Sequence, residues 1–175
     1  GRVEIGIVPV PGRPDPAAGP APLTAAVALE DRGEAPGRVR MQRLAADGGL
    51  VDFVSRVVEP GTLVRATRLE AWWPLAELGF PTERAPGLTH LPAVERALAG
   101  WLRATHQGAT SPAQLDWYLD EFTFRFNRRA STHRGLLFYR LLEEAVVTPP
   151  MPYHRVVGAA EEPGGESGRH PAREP

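Results

Sequence analysis

The sequence contains neither cysteine nor lysine. Without cysteine the chain has no disulfide and no thiolate zinc site of its own, which is compatible with a reducing cytoplasm. All strongly basic side chains are arginines, and the formal net charge of -1 argues against a wholly basic nucleic-acid binder. A local basic face is still compatible with that charge. No apolar run is long enough to cross a membrane, and the first residues lack a signal-peptide pattern, so we expect a cytoplasmic protein without a membrane partner.

The prolines and glycines, 19 and 18 in number, are unevenly spread. Residues 9–22 are rich in both and predict a loop without regular structure. From Thr148 onward the chain is mostly proline, glycine and charge, so residues 148–175 predict a largely disordered tail. Residues 1–147 remain as one domain, which is long enough to bury a core.

Apolar spacing predicts three strands and then alternating helices and strands. Residues 2–8, 23–30 and 38–44 have the spacing of an antiparallel meander. The following elements are a helix at 48–59, a strand at 62–67 and helices at 69–80, 91–106, 112–129 and 134–146, with room for a short strand before the helix at 91. This element order is that of the α/β RNase H-like fold. In that fold a mixed sheet consists of an antiparallel meander and added parallel strands, which crossover helices connect. Two C-terminal helices would follow the sheet in this chain. Strands 2–8 and 62–67 should then be neighbours.

The two C-terminal helices each carry an apolar face. We expect helix 112–129 to pack through Phe122 and Phe126. In helix 134–146 the predicted buried stripe is Leu137, Phe138, Leu141, Leu142 and Ala145.

The stretch from Thr105 to Glu143 carries a more specific signal, THQGATSPAQLDWYLDEFTFRFNRRASTHRGLLFYRLLE. It resembles the end of the DDE domain in the ISXO-two-like branch of bacterial insertion-sequence transposases. Members of that branch show G-T-H-x-G, then Y-L-x-E-F-x-F-R-F-N-R-R, then R-G-x-x-F-x-R-x-L-E. Weaker likeness in VEIGIVPVPG (3–12) and EPGTLVRATRLEAWWPLAELGF (59–80) extends the resemblance to about residues 3–147. The family's N-terminal zinc-ribbon part has no counterpart in this cysteine-free chain.

The resemblance implies DNA strand cleavage and transfer by two Mg²⁺ or Mn²⁺ ions that carboxylates hold. Aligned on VEIG, the first catalytic aspartate is replaced by Gly6; aligned from Pro60-Gly61, the second is replaced by Thr67. The piece that carries the third ligand has no counterpart in the shorter helix at 91–106. We therefore expect a copy that has lost catalysis and binds no metal.

Three glutamates could in principle replace the missing ligands: Glu4, Glu70 and Glu95. Glu4 shares a strand face with Gly6 but lies about 6.6 Å away along the strand, too far to reuse the same metal position without rearrangement. The simpler interpretation is three solvent-facing glutamates.

The arginines of the FRFNRR stretch have two interpretations. They could contact DNA phosphates together with a neighbouring asparagine and a following arginine. They could equally belong to an ordinary amphipathic helix with a Glu121–Arg125 pair. The candidate DNA-binding residues are Arg125, Asn127, Arg128, Arg129 and Arg134.

Three functions therefore remain open: an inactive transposase-type domain, a non-catalytic DNA-binding or assembly module, and a nuclease with relocated carboxylates. We expect any DNA binding to be weak and independent of sequence, which would place a bacterial protein at the nucleoid. Self-association remains open.

Overall fold

The computed structural model describes residues 1–10, 23–44, 49–68, 73–106 and 112–150. These residues form five strands and five helices. In chain order the elements are β1 (Arg2–Pro9), β2 (Thr24–Asp31), β3 (Pro36–Arg43), α1 (Leu50–Val57), β4 (Leu63–Ala66), α2 (Trp73–Glu77), β5 (Thr82–Arg84), α3 (Leu91–His106), α4 (Pro112–Asn127) and α5 (Arg134–Val147). Most of the predicted loop at 9–22, residues 69–72 of the predicted second helix and residues 151–175 of the predicted tail lie outside the described residues.

The strands form one mixed sheet in the order β3-β2-β1-β4-β5. The pairs β1–β2 and β2–β3 are antiparallel, whereas β1–β4 and β4–β5 are parallel. The predicted α/β class is therefore confirmed, and the strand order is compatible with the RNase H-like fold. The expected neighbours β1 and β4 pair directly, with Val3 opposite Val64 and Glu4 opposite Arg65.

One face of the sheet is covered by α1. Alternation along β1 directs Val3 and Ile5 to this face, where they pack in one cluster with Phe53 and Val54 of α1. The helix begins after Gly49, whose φ of 97° lies in the left-handed region that glycine adopts most readily. Along the chain, α1 lies between β3 and β4, and β4 runs parallel to β1.

The opposite face of the sheet is covered by α3 and α4. Val27 and Val39 of the sheet share a core with side chains of both helices. Phe122 is 7% exposed, and its ring centroid lies 5.9 Å from that of Phe126. The expected packing of α4 through these two phenylalanines is confirmed, although the helix ends at Asn127, two residues earlier than predicted.

The predicted buried stripe of α5 is wrong. Phe138 is 67% exposed, Leu141 48% and Leu142 50%, and Ala145 is exposed as well. The side chain of Leu137 lies outside the described part of the chain. Helical spacing identifies an apolar face but not a surface that receives it, and both faces of the sheet are already covered by α1, α3 and α4.

Candidate functional site

The two positions at which the resemblance would place catalytic aspartates belong to neighbouring parts of the chain. Gly6 lies in β1, and β1 pairs in parallel with β4, where Glu4 is opposite Arg65. Thr67 follows the last residue of β4 and is exposed. Hard divalent cations prefer carboxylate oxygens, and neither residue supplies one.

The space beside Gly6 is occupied by the first residue of α3. A Cβ atom added to Gly6 would collide with Cδ2 of Leu91, which is 6% exposed and belongs to the core between the sheet and α3. An aspartate at position 6 could enter only if the Leu91 side chain moved. The site of the expected first metal ligand is thus covered by an apolar side chain.

The solvent-facing interpretation is wrong for Glu4, which is fully buried and accepts hydrogen bonds from the start of α3. Its Oε1 accepts a hydrogen bond of 2.6 Å from the backbone N–H of Thr89. Its Oε2 accepts bonds of 2.9 Å from His90 N–H and 2.8 Å from Leu91 N–H. Backbone N–H groups at a helix start have no partner within the helix, and the helix dipole favours a negative charge there. Both oxygens of Glu4 are therefore engaged, and a metal ion would have to compete with α3 for them.

A chain of charged side chains continues from Glu4. Nη1 of Arg65 lies 3.7 Å from Oε1 of Glu4 and 3.3 Å from Oδ2 of Asp31. The Gly33 N–H hydrogen bond lowers the pKa of Asp31, and the nearby charges of Arg2, His90 and Arg65 lower it further against the opposing effect of burial. A buried carboxylate is stable only when it is paired with positive charges or hydrogen-bond donors. The charged groups of this cluster therefore neutralise one another within the protein.

The structure describes only one of the other two glutamates. Glu95 is half-buried on α3, and Glu70 lies outside the described residues. Within the described ranges, no group of three His, Cys, Asp or Glu side chains is arranged to hold a metal ion. The complete relocated cluster stays a prediction, but Glu4, its first member, is already bound to α3.

Two of the candidate DNA-binding residues attach the end of α4 to the edge strand β3. Oδ1 of Asn127 accepts a 2.7 Å hydrogen bond from Val39 N–H, and its Nδ2 donates a 2.9 Å bond to Val39 O. The guanidinium of Arg129 donates to the carbonyls of Pro36 and Phe126 and lies 3.9 Å from the centroid of the Phe126 ring. These contacts are intramolecular, so a DNA role for either residue would have to share or displace them.

The remaining candidates are less constrained. Arg125 forms an exposed pair with Glu121 at 2.8 Å, as the amphipathic interpretation predicts. Arg128 lies over the ring of Phe124 at 3.7 Å from its centroid. Arg134 begins α5, and its side chain lies outside the described part of the chain. Because α4 ends at Asn127, the arginines at 125, 128 and 129 do not form one continuous helical face.

A second group of arginines was not predicted from the sequence. A pocket of about 470 Å³ lies between the sheet and the end of α1. Its charged lining residues are Arg2, Arg32, Arg38, Arg40, Glu30 and Glu59. Arg38 and Arg40 flank Val39, which is fully buried, so both arginines leave β3 on the side opposite to Val39. The alternation in RVRMQR (38–43) is the sequence signal that places both arginines on one face of the strand.

Comparison with known proteins gives no match: no family model, no curated protein and no solved structure is similar to this chain. Within the residues that the structure describes, no helix combines the length and the apolar character needed to cross a membrane.

Proposed function

We propose that this chain is a transposase-type, RNase H-like domain that no longer cuts DNA and that binds duplex DNA without sequence preference. The observation that carries the loss of cleavage is the packing around Gly6. Leu91 occupies the space into which a metal-binding aspartate would project, and both oxygens of Glu4 are bound to backbone N–H groups. The residues present do not fit the two-metal centre that the resemblance implies.

The strand order and the arginines support the DNA-binding part of the proposal. The mixed sheet is compatible with the fold that the resemblance implies. Arginine suits phosphate because its planar fork donates two hydrogen bonds and stays charged. With a net charge of -1, most of the surface contributes no attraction, so the affinity should be low and strongly dependent on salt.

The test separates binding from cleavage. The parent chain is incubated with supercoiled plasmid in Mg²⁺ or Mn²⁺, and its affinity for a fluorescent duplex is measured over a range of salt. We expect binding that weakens steeply with salt and no nicking. A Glu95→Gln variant, purified in parallel, serves as the control for contaminating nuclease. Nicking by the parent that is absent from Glu95→Gln would overturn the proposal in favour of a relocated nuclease site.

A second candidate function, an assembly module, is favoured by the surface of α5. Large apolar side chains on this helix are 48–78% exposed: Leu136, Phe138, Tyr139, Leu141, Leu142, Val146 and Val147. Apolar patches of this kind commonly mark interaction sites. The helix also carries Arg140 and Glu144, so two copies in antiparallel register can place these charges opposite each other. A second copy of this chain is therefore the partner we propose.

Sedimentation velocity tests the assembly function. We expect the parent to self-associate and a Phe138→Glu/Leu142→Glu variant to remain monomeric, since both changes lie one turn apart on α5. Leu78→Glu is the matched control, because Leu78 is also 51% exposed but lies after α2. A monomeric parent at high protein concentration would exclude this function.

A further inference from the structure

The arginines of this protein differ in the number of intramolecular salt bridges and hydrogen bonds that their side chains form. Arg65 is shared between Glu4, Asp31 and Glu83, and Arg129 is bound to backbone carbonyls. By contrast, the exposed side chains of Arg38 and Arg40 form no salt bridge or hydrogen bond with the described residues around them. The guanidinium groups of Arg38 and Arg40 are therefore available to an anion, and they lie on the face of β3 opposite to α4.

These two arginines face a pocket of suitable shape. Residues i and i+2 of an antiparallel strand lie about 7 Å apart on one face, so Arg38 and Arg40 form a short row along β3. The pocket has small apolar residues at its floor, Val3 and Ala28, and continues to Val57 at the end of α1. The apolar floor and the arginines at the rim suit a ligand that has an uncharged central part and negatively charged groups at its edge.

The charge balance of the pocket is positive. Four arginines and two glutamates line it, which leaves two positive charges in excess. Glu30 is already engaged, since it accepts 2.9 Å hydrogen bonds from Nη2 of Arg32 and from the backbone N–H of Arg38. Those two bonds lower the pKa of Glu30, so it remains ionised at neutral pH and holds Arg32 at the rim.

The position of α1 indicates where an anion would bind. The helix directs its C-terminal end, at Val57 and Val58, toward one wall of the pocket. A helix C-terminus carries partial negative charge, which disfavours an anion on that side. A phosphate would therefore bind at the β3 side, beside Arg38 and Arg40.

We propose that this pocket, the β3 arginine pocket lined by Arg2, Arg32, Arg38 and Arg40, binds the phosphodiester backbone of DNA. The inference rests on the proposed DNA-binding function and moves its main phosphate contacts from α4 to the opposite face of the sheet. One guanidinium group can donate two hydrogen bonds to the oxygens of one phosphate. Arginines that follow one another along a strand can therefore contact successive phosphates. The floor at Val3 and Ala28 would accept the sugar between them.

The test compares two double variants that remove the same charge. Arg38→Gln/Arg40→Gln removes the row on β3, and Arg125→Gln/Arg128→Gln removes two arginines at the end of α4. All four side chains are at least partly exposed, so both variants should fold, and thermal melting checks this. We measure duplex affinity between about 50 and 200 mM salt by fluorescence anisotropy.

The pocket variant should lose about tenfold in affinity, and the slope of log affinity against log salt should fall by about two units. The α4 variant should stay within about twofold of the parent. In nuclear magnetic resonance spectra, the amide signals of Ala28 and Arg38 to Arg40 should shift when duplex is added.

The possible failures are distinguishable. If the parent binds duplex but only the α4 variant loses affinity, the pocket inference is wrong and the proposed function stands. If the parent binds no duplex at all, both fail. If poly-glutamate binds the parent as tightly as DNA does, recognition of phosphate is refuted and the pocket is a general anion site.

Discussion

Two consecutive helices, α4 and α5, have similar lengths of 16 and 14 residues but opposite surroundings. Leu115, Leu119 and Phe122 of α4 are buried in the core beneath β3 and β2. The described side chains of α5 are exposed throughout. The comparison shows that apolar spacing is enough to predict a helix, whereas burial depends on a free surface elsewhere in the fold.

The polar residues at the end of α4 sharpen the contrast. The side-chain amide of Asn127 makes one accepting and one donating bond to Val39, as a neighbouring strand would. β3 is an edge strand, whose unpaired backbone groups would otherwise invite pairing with another chain. The asparagine in FRFNRR therefore has a structural role here: it fastens α4 and covers part of the sheet edge.

The largest expected effect is on the buried aromatic of α4. Phe122→Ala should lower the free energy of unfolding by about 3–5 kcal/mol, because it leaves a cavity beside Trp101 and Phe126. Phe138→Ala, the matched change on α5, should stay within about 0.5 kcal/mol. Urea unfolding at low protein concentration measures the free energy of unfolding of both variants and of the parent. Equal losses in the two variants would show that α5 is packed in solution and would break the comparison.

A smaller effect is expected where α4 meets β3. Asn127→Ala removes two hydrogen bonds and leaves the N–H and C=O of Val39 without these partners, so we expect a loss of about 1–3 kcal/mol. Ser131→Ala, in the exposed connection between α4 and α5, is the control and should change stability by less than about 0.5 kcal/mol. The same urea titrations measure both. If Asn127→Ala were neutral, water would replace the amide easily and the edge contact would be incidental.

Local patterns and long-range contacts explain which expectations succeeded. Strand alternation and helical spacing act over a few residues, so they predicted most elements. The order of these elements along the chain then predicted that β1 and β4 are neighbours. The bond from Asn127 to Val39 spans 88 residues, and the bonds from Glu4 to the start of α3 span 85 to 87 residues. No periodicity carries that information. Alternation correctly put Glu4 and Gly6 on one strand face, but it could not predict that the Leu91 side chain would cover Gly6.

The smallest expected effect concerns a charge on α4. Burial, and then the neighbouring charge of Asp116, raise the pKa of Asp120 above its ordinary value of 3.8. A raised pKa means that the folded protein binds this proton more tightly than the unfolded chain does. The ionised carboxylate therefore destabilises the fold above the folded-state pKa, and the penalty disappears as the pH falls below 3.8.

Asp120→Asn should accordingly stabilise the protein at neutral pH. The side chain is only partly buried and stays accessible to solvent, so water and salt screen its charge and we expect a gain of only about 0.3 kcal/mol. Glu143→Gln on α5 is the matched control and should have no effect, because Glu143 and the other described side chains of that helix are exposed. Thermal unfolding at pH 7 and at pH 3 measures the difference. A gain in stability that persisted unchanged at pH 3 would show that the carboxylate charge is not its cause. A comparable gain from Glu143→Gln would show that Glu143 is as far removed from solvent as Asp120.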